Sequence, residues 1–130
     1  MTLIDTSVWI DFFRGRSELE HVEKLKQCLL KNQEVVICGV ILMEVLQGIR
    51  DDKQYRMTND YLNYLPCLEM KKSTYIKAAS CYRELRQQGI TIRKPIDCMI
   101  AAVALEHDCE LLHNDRDFDM IAKGFALRFR

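Results

Sequence analysis

The stretch Leu3-Ile4-Asp5-Thr6-Ser7-Val8-Trp9-Ile10 decides the reading of the fold. Two apolar residues followed by an acid and two hydroxyl residues describe a short buried strand that ends in a turn and an N-cap. The run from Val8 to Phe13 then continues as a helix, and Gly15 stops it. Asp5 therefore stands at a strand end just ahead of a helix N-terminus, where free backbone N–H groups accept anions. Capping that helix is the structural alternative for the same acid.

The strand-then-helix pattern recurs along the chain. Residues 17 to 32 place Leu19, Val22, Leu25, Cys28 and Leu29 three and four apart, the period of an amphipathic helix. Val35-Val36-Ile37-Cys38 reads as a second buried strand, and Val40, Ile41, Val45, Leu46 and Ile49 predict the helix after it. Glu44 falls among those apolar residues. A carboxylate on a core-facing side must be paired, hydrogen-bonded, protonated or metal-bound, unless it sits at an edge and reaches water. Residues 51 to 65 read as a helix ended by Pro66, with a third strand at Cys67-Leu68-Glu69-Met70.

Ser73 is the expected cap of a helix carrying Tyr75, Ile76, Ala79, Tyr82 and Leu85, stopped by Gly89. The loop from Gly89 to Pro95 delivers Asp97 to the first turn of an apolar helix running through Leu105, where a proline and an acid both suit a helix start. Cys109-Glu110-Leu111-Leu112 is a further strand, and it runs directly into His113-Asn114-Asp115-Arg116-Asp117-Phe118. Two acids on alternate residues there put one into a site and the other in support. A short helix at 119–122 and an edge strand at 126–129 complete the chain. Strands alternating with helices indicate an α/β fold with a mostly parallel sheet, and such sheets place their sites at the carboxyl ends of the strands. Asp5, Glu44, Asp97, Asp115 and Asp117 all occupy positions that can meet at that edge.

A chain of 130 residues with 48% apolar content fits one domain over 1–130 with a sizeable core. Nineteen basic and nineteen acidic residues balance, so total charge selects neither a polyanion nor a membrane surface as partner. Their distribution is informative. Seven basic residues against one acid lie between Lys71 and Lys94, whereas Glu110 to Asp119 carries four acids and one arginine. That segregation describes a positive rim beside a negative pit, or a solvated helix face. The six cysteines form no CxxC pair, so a structural zinc cluster is not expected, and free buried thiols favour a reducing compartment. With no basic leader and no apolar stretch of spanning length, the expectation is a cytoplasmic protein without membrane partners.

Hard divalent ions such as Mg²⁺ and Mn²⁺ take oxygen ligands, commonly carboxylates with water and substrate phosphate. Several acids without a histidine cluster match that preference. Competing chemistries fit less well: no GxSxG surrounds Ser7, and neither GxxxxGK[ST] nor GxGxxG is present. His113 either orients the acidic loop or takes a simple surface or capping role.

The opening segment resembles the start of PIN-domain ribonucleases, particularly the VapC-type toxins of bacterial toxin–antitoxin pairs. Three further segments resemble that family in the same order: Glu44 leading Val45-Leu46-Gln47-Gly48, Asp97 within Pro95-Ile96-Asp97-Cys98-Met99-Ile100-Ala101-Ala102, and Asn114-Asp115-Arg116-Asp117-Phe118 after an apolar strand. Together they cover nearly the whole chain. The resemblance implies a three-layer α/β/α PIN-like fold and an endoribonuclease that uses Mg²⁺, with Mn²⁺ as a substitute, in an acidic quartet of Asp5, Glu44, Asp97 and Asp115. Asp117 competes with Asp115 for the fourth place. Thr6 or Ser7 would hold Asp5 or a metal-bound water. Also implied are a homodimer, a small VapB-like antitoxin partner, and tRNA or another structured RNA as substrate. The alternative is a PIN-like module that binds RNA or protein without cleaving. His113 stands where many relatives carry Ser or Thr, so no role transfers to it. Among the basic residues, Lys72, Lys77, Arg83 and Arg86 are candidate phosphate contacts, of which only the subset beside the acidic cleft is expected to act.

Overall fold

The computed structural model describes residues 1–130. Five strands, β1 (Thr2–Ile4), β2 (Val35–Cys38), β3 (Cys67–Leu68), β4 (Glu110–Leu112) and β5 (Arg128–Phe129), form one sheet in the order β3-β2-β1-β4-β5. All four pairings are parallel. Parallel neighbours need long crossovers, and seven helices supply them: α1 (Thr6–Phe13), α2 (Glu20–Leu30), α3 (Gly39–Gln47), α4 (Asp52–Asn63), α5 (Lys72–Gln87), α6 (Pro95–Glu106) and α7 (Arg116–Ile121). The result is the three-layer α/β/α arrangement expected from the alternation of strands and helices.

Burial explains the hierarchy of the strands. Every residue of β1 and β2 is buried, as suits central strands covered on both faces. The outer strands are shorter than expected. The third covers Cys67–Leu68 rather than reaching Met70, and the fifth covers only Arg128–Phe129, both exposed. Each pairs on a single side, and short edge strands limit unwanted pairing with other chains. Five cysteines are buried and Cys67 is exposed; all six are free.

Three helices end by one device. After α2, α5 and α6 the chain takes a left-handed residue, Asn32 (φ 51°), Gly89 (φ 81°) and Asp108 (φ 53°) respectively. The next residue then donates back to the helix, Gln33 to Cys28, Ile90 to Leu85 and Cys109 to Ala104, at 2.9–3.0 Å. This pattern satisfies carbonyls that would otherwise be orphaned and turns the chain sharply toward the next segment. Gly89 supplies the left-handed conformation without strain, and Asn and Asp tolerate it better than other residues. The start of α5 departs from expectation. Lys71, not Ser73, is its N-cap residue, and Thr74 accepts the Lys71 N–H at 3.0 Å while donating to Glu106 Oε2 at 2.9 Å. A buried threonine thus fixes α5 against the end of α6.

The core runs through Leu3, Ile4, Trp9, Ile37, Ile41, Ile100, Leu111 and Phe118, all essentially inaccessible. The chain runs outward from β1 through β2 to β3 and then crosses back to β4 on the other side of β1, so the strand order switches between β1 and β4 and a crevice opens beyond their carboxyl ends. The Asp5 N–H donates to Leu112 O at 2.9 Å, tying the two strand ends together.

Candidate active site

Asp5 leaves β1 directly into this crevice and is 3% exposed. It is the N-cap residue of α1, and its Oδ2 accepts from the Ser7 N–H at 3.0 Å and from Ser7 Oγ at 2.5 Å. Capping and a site role therefore coexist: one oxygen is anchored to Ser7 and the other is not part of that anchor. Ser7 Oγ also accepts from the Asn114 N–H at 3.0 Å, across 107 residues of sequence. One hydroxyl thus locks the turn after β1 to the loop after β4. Thr6 acts elsewhere. Its Oγ1 donates to Glu44 Oε1 at 2.8 Å, holding the α3 carboxylate over the start of α1. Neither of the two simple alternatives for Thr6 foresaw Glu44 as its partner.

Asp97 is at the third position of α6, begun by Pro95, and is 3% exposed. Asp115 is the N-cap of α7 and accepts the Asp117 N–H at 3.0 Å, while Asp117 is itself 4% exposed. One carboxylate oxygen from each of Asp97, Asp115 and Asp117 lies within 4.8 Å of the others. Asp115 and Asp117, the two candidates for the fourth acid, thus both stand beside Asp97. Asp5, Glu44 and Asp97, with Thr6, Ser7, Gln47 and Lys94, line an adjoining cleft of about 310 Å³. A neighbouring hollow of about 380 Å³ is lined by Ile10, Phe13, Val45 and Ile49, and its one acid, Asp51, is occupied in capping α4 through the Gln54 N–H. Carboxylate chemistry belongs to the smaller cleft.

Electrostatics mark the same place. Burial pushes Asp97 up to about 8, with Lys94 opposing and Asp115, Asp5 and Asp117 adding to the rise. Burial also raises Asp5, against its hydrogen bonds from Ser7, and raises Glu44, against the one from Thr6. Asp115 lies below its ordinary range: partial burial pulls it upward, but the Lys94 hydrogen bond and the Asp117 N–H outweigh that pull. Oδ2 of Asp97 and Oδ2 of Asp117 are buried without a hydrogen-bond partner. Buried carboxylate oxygens without a hydrogen bond are costly in a stable protein, and these two belong to the Asp97, Asp115 and Asp117 carboxylate cluster, with only the Lys94 ammonium 3.7 Å from Asp97 Oδ2. The arrangement fits a hard divalent cation held by carboxylates.

Two cations were hidden within a basic run that reads as surface. Lys94 Nζ bonds Asp115 Oδ2 and lies 3.7 Å from Asp97 Oδ2, and Arg93 Nε lies 3.5 Å from Asp117 Oδ1. Their position directly before Pro95 was the available signal. His113 is half-buried between Phe118 and Phe129, at ring separations of 5.1 and 4.6 Å. Its Nδ1 accepts the Asp115 N–H at 3.1 Å, so the ring supports the acidic loop, and burial lowers its pKa. The candidate phosphate contacts divide. Lys72, Lys77, Arg83 and Arg86 are all exposed on α5, but only Arg83 and Arg86 line the groove shared with Pro95. At roughly 100° per residue, Lys77 points about 180° away from Arg86.

The PIN domain family model matches residues 2–124. The VapC ribonuclease Mb1587 of Mycobacterium bovis is 36% identical over 124 residues, which is 95% of this chain and 92% of that protein. Ribonuclease VapC11 of Mycobacterium tuberculosis matches to the same extent, 36% over 95% of this chain and 92% of its own. Among solved structures, VapBC2 from Rickettsia felis bound to a DNA fragment from its promoter has a TM-score of 0.77 at 19% identity, covering 99% of this chain and 96% of the other. DNA-bound VapBC from Salmonella typhimurium has a TM-score of 0.77 at 21% identity, with 99% and 96% coverage. These structural likenesses concern the fold.

Proposed function

The chain belongs to the PIN-domain family, and on that premise we propose that residues 1–130 form a single PIN-like endoribonuclease domain, the toxin of a toxin–antitoxin pair. Its substrate is RNA, with tRNA or another structured RNA as the preferred class, and its partner is a small VapB-like antitoxin bound to a toxin homodimer. No helix is long and apolar enough to cross a membrane. The observation that carries the reading is the convergence of Asp97, Asp115 and Asp117 beside Asp5 and Glu44, with two buried carboxylate oxygens that accept no hydrogen bond.

Asp5, Glu44, Asp97 and Asp115 are the residues assigned to hold Mg²⁺, or Mn²⁺ in its place, with Asp117 completing the acidic loop. When bound, such a cation orients and activates water and offsets the charge that develops on a phosphodiester. Ser7 keeps Asp5 aimed into the cleft by the 2.5 Å hydroxyl bond and the 3.0 Å N–H bond. Thr6 does the same for Glu44 at 2.8 Å. Burial raises Asp97 to about 8, so its charged form is disfavoured in the cleft without a cation, and a bound cation would favour that charged form. Lys94 and Arg93 offset the acids, and Arg83 and Arg86, which line the groove shared with Pro95, are assigned to the RNA backbone, where phosphate contacts position a substrate without reading its bases.

The test is cleavage of a pool of structured RNAs by inhibitor-free protein. The expected result is turnover with Mg²⁺ or Mn²⁺ and its loss in EDTA. Undiminished cleavage after rigorous metal removal would reject the metal mechanism. Binding of RNA without turnover under every metal would favour the non-catalytic module.

A further inference from the structure

Lys94 is the cation most closely engaged with the acid set. Its Nζ bonds Asp115 Oδ2 and lies 3.7 Å from Asp97 Oδ2, while its side chain is 53% exposed. Both partners are nearly inaccessible, at 10% and 5% side-chain exposure. The inner carboxylates are therefore fixed by their elements, whereas the ammonium reaches them from outside on a flexible four-carbon stem. Lys94 also lines the cleft that Asp5, Glu44 and Asp97 share. Arg93 is a weaker counterpart, meeting only Asp117, at 3.5 Å.

We propose that Lys94 is an exchangeable counter-ion: it neutralises the acid set when no divalent cation is bound, yields to that cation, and then presents its ammonium to the phosphodiester. The inference rests on the metal-dependent reading above and deepens it by naming the residue that couples metal entry to RNA binding. A divalent ion takes carboxylate oxygens at about 2.0–2.1 Å for Mg²⁺. A cation taken up by Asp97 and Asp115 would compete with Nζ for the carboxylate oxygens that Nζ now engages, and like charges sharing those oxygens repel. The stem lets Nζ withdraw, whereas the buried acids cannot follow it. The displaced ammonium remains at the cleft mouth, where a phosphate oxygen is its natural ligand. No covalent step is involved.

The experiment compares wild type with Lys94→Met, which keeps much of the stem and removes the charge. Mn²⁺ is titrated calorimetrically without RNA, and thermal midpoints are read in EDTA and in saturating Mn²⁺. Lys94→Met is expected to bind Mn²⁺ about three- to tenfold more tightly, a modest gain because the ammonium is half-exposed and screened. In EDTA its midpoint is expected to fall below wild type by about 2–4 °C, a deficit that Mn²⁺ removes. RNA affinity in Ca²⁺ is expected to weaken, with the log-log salt slope smaller by about one. Lys94→Arg keeps the charge and is expected to hold the Mn²⁺ affinity near wild type. Equal or weaker Mn²⁺ binding by Lys94→Met overturns the inference alone, since metal binding itself would stand. Absence of Mn²⁺ binding in both proteins overturns the metal reading and this inference with it. If Lys94→Met does not fold in EDTA, Lys94→Gln measured in the same titration carries the same expected and overturning results.

Discussion

Asp97→Asn is expected to make the protein more stable in EDTA while removing its metal-dependent activity. Burial and three neighbouring acids push Asp97 from 3.8 to about 8, so the folded state holds a proton there that the unfolded chain gives up. Between roughly pH 4 and 8 the native state binds more protons than the unfolded one, and stability falls as pH rises through that window. A shift of about four units corresponds to an upper bound near 5–6 kcal/mol at about 1.36 kcal/mol per unit. Relaxation of Lys94 toward the carboxylate and water at the cleft mouth reduce this. Loss of a negative charge in the first turn of α6 takes back about 0.3–1 kcal/mol. The net expected gain is about 1–2 kcal/mol at pH 8, or about 3–8 °C in midpoint for a domain of this size. Differential scanning fluorimetry in EDTA at pH 5, 6.5 and 8 measures it, and the gap between variant and wild type should widen with pH. Saturating Mn²⁺ should narrow or reverse the gap, because only wild type retains the full ligand set. A variant less stable than wild type at pH 8 in EDTA would instead show Asp97 to be a stabilising acid of the α6 N-terminus.

Ser7→Ala removes two side-chain bonds, to Asp5 and to the Asn114 N–H, and is expected to cost about 1–2 kcal/mol by chemical denaturation. The same variant should lower kcat more than it raises KM, and a kcat at the wild-type level would remove Ser7 from the positioning of Asp5. Thr6→Val, which loses the bond to Glu44, should weaken Mn²⁺ binding about two- to fivefold with a stability cost of no more than about 1 kcal/mol, and unchanged affinity would count against a ligand role for Glu44. Arg86→Ala should reduce RNA affinity across sequences and lower the salt slope by about one, whereas Lys77→Ala should leave both unchanged; equal effects from the two would mean that the RNA path does not follow the α5–α6 groove.

Much of the fold was legible because strands and helices announce themselves locally. Val35–Cys38 is four apolar residues between the polar Asn32-Gln33-Glu34 and Gly39, and Pro95 followed by Asp97 marks a helix start by φ restriction and charge. The edges were less legible. Cys67–Met70 and Ala126–Phe129 have strand composition, yet only two residues of each pair, because an edge strand lasts only as long as its single neighbour holds it. At the site, Asp5, Glu44 and Asp97 stood out because each is an acid embedded in an apolar context. Thr6 reaching Glu44 and Ser7 reaching Asn114 span 38 and 107 residues. No local pattern encodes such bonds. Lys94 was visible only as one of seven basic residues. What distinguishes it from Lys77 is the turn into α6, which aims one ammonium at buried acids and leaves the other on the far face of α5. The choice between Asp115 and Asp117 stayed open in sequence because a cap residue and the second residue of a helix can both face inward, and here both do.

The most direct test of the central claim is single-turnover cleavage of a structured RNA across a Mn²⁺ titration, comparing wild type with a folded Asp5→Asn protein. Asp5→Asn keeps the size of the side chain and its acceptor for the Ser7 bonds but removes one ligand charge. Wild type is expected to gain activity with Mn²⁺, while Asp5→Asn loses most of its turnover and requires a higher Mn²⁺ concentration for what remains. Wild-type rates for Asp5→Asn at limiting Mn²⁺ would contradict that claim.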